Sequence, residues 1–472
     1  MFDPFIAPSG TLLGLLQRGR GDGTLHALAA PRAEALAALD HCVLDDPRHD
    51  WQVENRSLYY ARLYIDLDGG LEGIERHLAD PDDHVDTDDS RTGLALSVLG
   101  HLASYGRDDA LALLRRYAAD GANWAWALDE LALRDDDAGL RALAAPVLAR
   151  FPDTPEGTAA LAAAARDAYE PRPWRLWAED PRDEIGARLA HASAHGSFDR
   201  WQRQMNHTGP RPGWSVQAVF DWAQQALERG TALHVPAARC LAAVAGPDDR
   251  PAILAAALDG PEGARCAALH HLAETADPAV LDLIATAVAG PARTVADAAV
   301  AAFERMPGDD AVRRARRWVH RPDALGAAAA GILARRGTAA DAPLVLGALR
   351  ETVRGSGPDD LLLWTLVDGA GRLGITCAAP VLRHVYRETA SSHLRGGAAR
   401  ALAATDPSFA TGFAVECLWD CEETTREIAA LHAETGDVRV ADRLLRLAAD
   451  PAEEAEVQTA VRSRIGFDPA GL

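Results

Sequence analysis

Lysine is absent from the sequence: all 48 basic residues are arginine, against 69 acidic residues, for a formal net charge of −21. Without lysine the chain cannot form a Schiff base or hold a nucleotide phosphate through a P-loop lysine. The acidic excess argues against general nucleic-acid binding, because phosphate contacts from cationic groups supply most of that affinity. We attribute the use of arginine to coding bias in a GC-rich genome.

Long apolar runs are also missing. No stretch reaches about eighteen uninterrupted apolar residues, and the opening MFDPFIAPSGTLLGLLQRGRGDG has no basic region ahead of its short apolar part. We therefore predict neither a membrane-spanning helix nor a signal peptide. The six cysteines show no CxxC pair and no disulfide-framework spacing, which predicts mostly buried thiols and a cytoplasmic location.

Signatures of catalysis and metal binding are absent too: the sequence has no GxSxG, HExxH or Walker-type motif. Cys266 with His270, and Cys417 with Cys421, lie at i and i+4, but neither pair has a third ligand nearby in the sequence. The acidic stretch DPDDHVDTDDSR lacks the glycine and the closing glutamate of an EF-hand. We predict no metal and no cofactor.

What the sequence does contain is a motif of roughly thirty residues that recurs between His234 and Glu453, a period typical of stacked-repeat proteins. The repeats span 234–262, 263–292, 293–323, 324–360, 361–392, 393–422 and 423–453. Each has the pattern of helix, turn and helix, with one apolar stripe per helix at the helical period. Neither half could bury its stripe alone. The pattern predicts an all-α fold, an α-solenoid of stacked antiparallel helix pairs.

The turns between these helices carry their own signals. Asp277-Pro278, Asp406-Pro407 and Asp450-Pro451 each place a capping carboxylate before a proline suited to the first turn of a helix. The arginines of DDAVRRARRWVH are expected to form a solvated helix face paired with nearby acids. The glycine-rich GRGDG has no strand before it and is predicted to be a plain loop rather than a phosphate-binding one.

Two of the repeats, AARCLAAVAGPDDRPAILAAAL at 237–258 and GAARALAATDPSFATGFAVECL at 397–418, resemble the short HEAT-like repeats also seen in phycobilin-lyase-type proteins. The resemblance covers the C-terminal half well and the N-terminal half loosely. It implies an α-solenoid, and repeats of this kind are found in scaffolds, lyases, regulators and a group of DNA glycosylases.

Outside the regular repeats, we divide the chain by sequence character. Residues 1–168 are predicted to be N-terminal helical repeats with an aromatic cap. Residues 169–233 are predicted to be an irregular Pro/Trp-rich connecting segment, and 234–472 the regular solenoid. Five of the eleven tryptophans fall within the middle segment. Packing of a longer insertion, a hinge and a recognition surface are all compatible with this composition.

Two places in the N-terminal segment suggest sites. Arg56, Tyr60 and Tyr64 share a helix face, which either seals the end of the solenoid or forms a groove that recognises a partner. Trp126 precedes Asp129 and Glu130 by one turn, an arrangement that resembles the HEAT-like glycosylases, in which an aromatic residue and an acid handle a cationic lesion. The alternative is an inner-face tryptophan beside ordinary first-turn acids.

The favoured function is a non-catalytic scaffold or adaptor whose concave surface binds another protein, neutral or basic because this chain is acidic. The alternative is an enzyme on a HEAT-like scaffold, lyase-type or similar to the glycosylases of alkylated bases. No catalytic residue is assigned. The candidate binding residues are Arg56, Tyr60, Tyr64, Trp126, Asp129, Trp174, Trp177 and Trp214.

Overall fold

A computed structural model describes residues 6–48, 56–80, 91–179, 186–189 and 213–465. Within these ranges every regular element is a helix and there is no strand, which confirms the all-α prediction. None of the helices in the same ranges has the length and apolar character needed to cross a bilayer. Trp201 and the acidic stretch from Pro81 to Ser90 lie outside the described residues.

The chain divides into two compact units. The terminal unit comprises Met1–Met205, Arg387–Ala399 and Pro407–Leu472, and the central unit comprises Asn206–Tyr386 and Arg400–Asp406. The three segments predicted from sequence character, with boundaries after residues 168 and 233, stay a prediction.

The terminal unit contains the first twelve helices and the last four. Its helices are α1 Leu12–Gln17, α2 Gly21–Ala29, α3 Arg32–Leu44, α4 Arg56–Asp66, α5 Glu72–Leu78, α6 Gly93–Ser104, α7 Asp108–Asp120, α8 Trp124–Arg134, α9 Asp137–Ala142, α10 Ala144–Leu148, α11 Pro155–Asp167, α12 Arg172–Ala178, α25 Phe413–Cys417, α26 Glu423–His432, α27 Val438–Ala449 and α28 Ala455–Ile465. Residues 186–189 are also helical.

The central unit contains α13 to α22, and α23 and α24 contribute residues to both units. These helices are α13 Val216–Glu228, α14 His234–Val244, α15 Arg250–Asp259, α16 Glu262–Glu274, α17 Val280–Ala289, α18 Arg293–Arg305, α19 Asp309–Trp318, α20 Ala324–Arg336, α21 Ala342–Ser356, α22 Leu362–Arg372, α23 Ala379–Glu388 and α24 Ser392–Thr405. Short 3-10 turns precede three of them, at Pro247–Asp249, Ala339–Asp341 and Thr376–Ala378.

Two helices fall in each of the seven predicted repeat segments. Within the central unit the first helices of successive pairs pack against one another, α14 on α16, α16 on α18, α18 on α20 and α20 on α22. Each second helix packs against the first helix of the following pair, as α17 does on α18 and α19 on α20. The apolar stripe of each helix is therefore covered by its neighbours, as the helical period requires.

The aspartates of the turns have a different role from the one the sequence predicts. Helix α17 begins at Val280 and α28 at Ala455, so Pro278 and Pro451 lie in the preceding turn and not in the first helical turn. Asp277 accepts a hydrogen bond from the backbone N–H of Ala279 at 3.0 Å, which is a local turn contact. The prediction of a capped first turn is wrong there, because a whole turn separates the aspartate from the helix.

Two of these aspartates, Asp277 and Asp406, and the turn residue Asp341 pair with arginines from the preceding helix pair. In the central unit Arg250 pairs with Asp277 at 2.6 Å, and Arg316 pairs with Asp341 at 2.7 Å. Arg383 pairs with Asp406, again about one repeat later in the chain. Arg316 belongs to the arginine-rich stretch of α19, whose expected pairing with nearby acids is confirmed at this position. The guanidinium fork suits such two-point contacts with carboxylates.

A second set of arginines contacts the C-terminal ends of neighbouring helices. In the central unit Arg336 donates to the carbonyl of Met306 at 2.7 Å, and Arg372 donates to the carbonyls of Ala334 and Gly337 at 2.9 Å. These carbonyls have no partner inside their own helix, and a cation there also opposes the negative end of the helix dipole. These two arginines thus connect α20 to the end of α18 and α22 to the end of α20.

In the terminal unit, residues near the start of the sequence pack against residues near its end. The backbone N–H of Cys421 donates to the carbonyl of Gly19 at 2.9 Å, and Arg62 pairs with Asp450 at 2.8 Å. Gly19 has a φ of 67°, and a Cβ at this position would overlap the sulfur of Cys421. The GRGDG stretch is not a plain loop, since α2 begins at Gly21, and its glycines permit this close approach.

Candidate binding site

The central unit contains an open groove of about 780 Å³ between α13, α15 and the start of α16. Val216 and Phe220 of α13 contribute apolar surface on one side, and Ala252 and Ala256 of α15 do so on the other. Three carboxylates also line the groove, Asp221, Asp249 and Asp259. We call this cavity the acidic groove. Its volume lies within the range of ordinary ligand-binding clefts.

Local sequence explains why α13 forms a wall of the groove. The hydroxyl of Ser215 accepts a hydrogen bond from the backbone N–H of Ala218 and so caps the helix. The side-chain carbonyl of Gln224 accepts from the backbone N–H of Gly263 at 2.8 Å, joining α13 to α16. A Cβ at Gly263 would lie 2.7 Å from the backbone of Gln224, so only glycine permits this helix spacing.

The electrostatics of the acidic groove are one-sided. Asp249 accepts from the backbone N–H of Gly246 at 2.8 Å, and Asp221 accepts from the side-chain amide of Gln217 at 2.8 Å. Over the residues that the structure describes, none of the three carboxylates makes an ion pair and no arginine lines the groove. Three negative charges beside an apolar surface are suited to a cationic group that carries aliphatic carbon.

A second cavity, of about 820 Å³, lies in the terminal unit beside α5 and α7. Its charges are largely neutralised within the protein. Arg116 pairs with Glu75, and Asp80 pairs with Arg91. Arg150 donates to the carbonyl of Gly121 at 2.9 Å. This cavity offers no excess charge comparable to that of the acidic groove, so the acidic groove is the stronger candidate for recognition.

Arg56, Tyr60 and Tyr64 share a face of α4, as predicted, but that face is inside the terminal unit. All three side chains have no solvent exposure. The hydroxyl of Tyr60 donates to the carbonyl of Leu16 at 3.1 Å, and that of Tyr64 donates to Asp40 at 2.5 Å. Arg56 forms an ion pair with Asp46. Among the described residues these contacts are internal to the terminal unit, so this face of α4 is part of its core and is not an exposed groove.

Trp174 and Trp177 are also buried, with exposures of 2% and 0%. Their rings make an edge contact at 5.1 Å between centroids, and Trp174 makes another with Trp124 at 6.2 Å. The indole N–H of Trp177 donates to the carbonyl of Leu140 at 2.8 Å. Packing of an insertion, one of the alternatives for the tryptophan-rich middle, describes these two residues, because both rings are buried against other rings and the indole N–H of Trp177 is hydrogen-bonded internally.

Trp126, Asp129 and Glu130 lie close together on α8, but their polar atoms are engaged separately. The indole N–H of Trp126 donates to Ser97 at 3.0 Å, and the hydroxyl of Ser97 donates to Glu130 at 2.7 Å. Asp129 accepts from the backbone N–H of Glu170 at 2.9 Å. Burial raises the pKa of Asp129 to about 6. Glu130 therefore connects α8 to Ser97 of α6, and Asp129 connects α8 to the turn before α12.

Trp214 is half-buried, and its ring lies 5.2 Å from that of Trp222 in a tilted arrangement. It immediately precedes Ser215, which caps α13 and lines the acidic groove. Of the eight candidate binding residues, Trp214 is therefore the one beside the groove in sequence. Trp214 belongs to the central unit, and Tyr60, Trp126 and Trp174 belong to the terminal unit.

The thiols and histidines singled out in the sequence are placed as follows. All six cysteines are described and none forms a disulfide; Cys377 alone is exposed. Cys266 lies near the carbonyl of Thr294 and has its pKa raised to about 11, chiefly by burial. Over the described part of the chain, no three metal-ligating side chains come together.

Sequence reasoning missed the three carboxylates of the acidic groove. None of Asp221, Asp249 and Asp259 was singled out from the sequence. A signal was nevertheless present, since Asp221 lies in the tryptophan-rich middle and has no arginine three or four residues away on its helix. That pattern indicates a carboxylate without a local partner. It does not indicate that three such carboxylates line one groove.

Comparison with known proteins adds no family and no relative to these observations. No protein-family model matches the chain, and no curated protein is significantly similar to it. The resemblance to HEAT-like repeats therefore stays a prediction from the sequence.

Proposed function

We propose that this protein is a HEAT-like α-solenoid of the cytoplasm that acts as a non-catalytic adaptor, binding a basic segment of another protein in the acidic groove. The observation that supports the proposal most directly is the set of Asp221, Asp249 and Asp259, which line one groove with no ion-pair partner among the described residues.

The solenoid part of the proposal rests on contacts between neighbouring pairs. First helices pack in sequence order from α14 to α22 in the central unit. Arginines at repeat intervals contact both the turn aspartates and the helix ends of the adjacent pair, as Arg316 and Arg336 do. Nearest-neighbour contacts of this kind are what a stacked-repeat protein requires.

The choice of partner rests on charge and shape. The groove lies open to solvent, so it can admit a side chain that is attached to a polypeptide. An arginine or lysine of the partner would place its aliphatic carbons on Phe220 and the alanines of α15, and its charge beside the carboxylates. Charge-assisted hydrogen bonds are each worth about 1.5–3 kcal/mol, enough for selective binding when several are formed.

The test is a binding measurement with defined peptides. Fluorescein-labelled nonapeptides carrying zero to three arginines are titrated with the full chain, and anisotropy is followed at low and at physiological salt. The variant Asp221→Asn/Asp249→Asn/Asp259→Asn is expected to bind the arginine peptides at least about tenfold more weakly than the wild type.

A matched control separates the groove from the general acidity of the protein. Asp297→Asn/Glu351→Gln/Asp368→Asn changes the net charge by the same amount at exposed positions of the central unit. This control is expected to bind within about twofold of the wild type at physiological salt, where exposed charges outside the groove are largely screened. Equal losses in both variants, or no affinity in the wild type, would reject the proposal.

A further inference from the structure

Two imidazoles join α14 to α16 in the central unit. The rings of His234, on α14, and His270, on α16, are stacked with centroids 4.8 Å apart and an angle of 25° between planes. The side chain of His270 has no solvent exposure, and neither of its ring nitrogens has a hydrogen-bond partner. A buried polar ring without partners is uncommon and costs stability if it becomes charged.

The groups that face this pair would oppose a positive charge. His270 meets His234 from α14 and Arg305 from α18, and Arg305 also acts on His234. Over the described residues of the helices packed on α16, no carboxylate acts on His270; Glu274, on α16 itself, acts on the neighbouring His271. A proton on His270 would therefore be both desolvated and repelled, with no counter-charge beside it.

We propose that the contact between α14 and α16 is acid-sensitive: it is stable while His270 is neutral, and α14 separates from α16 when this imidazole is protonated. The reasoning requires no partner and is independent of the acidic groove.

The size of the pH effect on the α14–α16 contact follows from the difference between the pKa of His270 in the closed state and in the opened state. Burial, followed by His234 and Arg305, lowers the pKa of His270 from 6.5 to about 4. Because the opened state takes up the proton more readily, stability of the contact is complete above pH 6.5 and falls as the pH approaches 4. At pH 5.0 the opening equilibrium should exceed its value at pH 7.5 by about thirtyfold from His270 alone.

Hydrogen–deuterium exchange of the full chain measures this opening directly. Protection of the α14 peptide, His234–Val244, is compared at pH 7.5 and pH 5.0 with that of α20, Ala324–Arg336, which contains no histidine. Rates are corrected for the intrinsic effect of pH on exchange. In the wild type the protection of α14 relative to α20 is expected to fall at least tenfold when the pH is lowered from 7.5 to 5.0. The upper limit of this fall is the thirtyfold increase in the opening equilibrium.

Variants assign the effect to His270. His270→Phe keeps an aromatic ring for stacking but cannot be protonated, so its protection ratio is expected to fall clearly less than that of the wild type over the same pH range. The remaining fall is due to His234, whose pKa is also lowered by burial. If His270→Phe does not fold, His270→Leu serves the same purpose with a smaller side chain. His320→Gln, at an exposed position of the same unit, should behave as the wild type. An unchanged ratio in the wild type, or an equal fall in the apolar variants, would overturn the proposal.

Discussion

The two compact units use the same arginine–carboxylate pair in different surroundings. In the central unit the arginine side chains are partly in solvent, with exposures of 55% for Arg250 and 41% for Arg316. In the terminal unit both partners of Arg395–Asp420 are fully buried, and Arg426–Glu453 is buried to within 1%. These pairs of the central unit therefore lie at its surface, whereas the terminal unit also contains pairs that are part of its core.

The difference shows how burial changes the consequence of an ion pair. An exposed ion pair adds little to the stability of the fold, because water and salt screen the attraction and both side chains lose conformational freedom. A buried pair has lost its hydration, so removing one partner leaves an uncompensated charge in a medium of low polarity. In the terminal unit these buried pairs also lie where early and late parts of the chain meet, since Arg62 contacts both Asp450 and Glu453.

The largest expected effect is the loss of a buried partner. Arg426→Ala leaves Glu453 without its closest cation and is expected to lower the free energy of unfolding by about 3–5 kcal/mol. The matched variant in the central unit, Arg316→Ala, should cost clearly less, because that guanidinium is half in water. Urea denaturation followed by circular dichroism measures both, and equal costs would remove the distinction between the units.

The next effect concerns aromatic residues. Tyr60→Ala, in the terminal unit, creates a cavity and is expected to cost about 3–5 kcal/mol, whereas Tyr60→Phe loses only the hydrogen bond to Leu16 and should cost about 1 kcal/mol. Trp214→Ala, at a half-buried position of the central unit, should cost less than Tyr60→Ala. Thermal unfolding of the three variants provides the ranking, and a stable Tyr60→Ala protein would contradict the buried placement of α4.

A smaller effect tests the close approach of α13 and α16. Gly263→Ala introduces a Cβ against the backbone of Gln224 and is expected to destabilise the protein by about 1–3 kcal/mol. Gly347→Ala is the control, because a Cβ there meets no atom within 4 Å on a helix, and alanine should stabilise by up to about 1 kcal/mol. Chemical denaturation should give shifts of opposite sign; shifts of the same sign would mean that the helices are not in contact at Gly263.

The smallest expected effect is a contrast in pH dependence. Arg316 lowers the pKa of Asp341 to about 2, so its stabilising contribution is complete above pH 3.8 and is lost toward pH 2. Burial raises the pKa of Asp129 to about 6, so its ionisation opposes folding increasingly from pH 3.8 to 6. Asp341→Asn should therefore be less stable than the wild type at pH 7, with a deficit that shrinks below pH 4.

The stability of Asp129→Asn relative to the wild type should depend on pH in the opposite sense to that of Asp341→Asn. This relative stability should increase by roughly 1 kcal/mol between pH 4 and pH 7. The increase is smaller than the pKa shift alone would give, because partial solvent access screens the carboxylate charge. Denaturation midpoints at pH 4.0, 5.5 and 7.0 measure both variants. Parallel pH profiles for the two would show that the local surroundings of the carboxylates do not differ as the structure indicates.

Much of the local architecture could be predicted. The period of the apolar residues predicted two helices in each repeat segment, where the structure has them, because periodicity records which side of a helix is buried. The shared face of Tyr60 and Tyr64 was predicted for the same reason. Whether that face is covered could not be predicted, since the atoms that cover it, such as the carbonyl of Leu16, lie more than forty residues away. The acidic groove was missed because its carboxylates come from separate helices.

The sequence by itself determined the helical class and the positions of the turns, because helix propensity, apolar period and turn residues act within a few residues of one another. It also determined that every long cation is an arginine. Only the tertiary structure decided which arginines are buried and which carboxylates they meet. Gly19 with Cys421, and Arg62 with Glu453, are pairings across nearly the whole chain, and no local interaction encodes a contact at that separation.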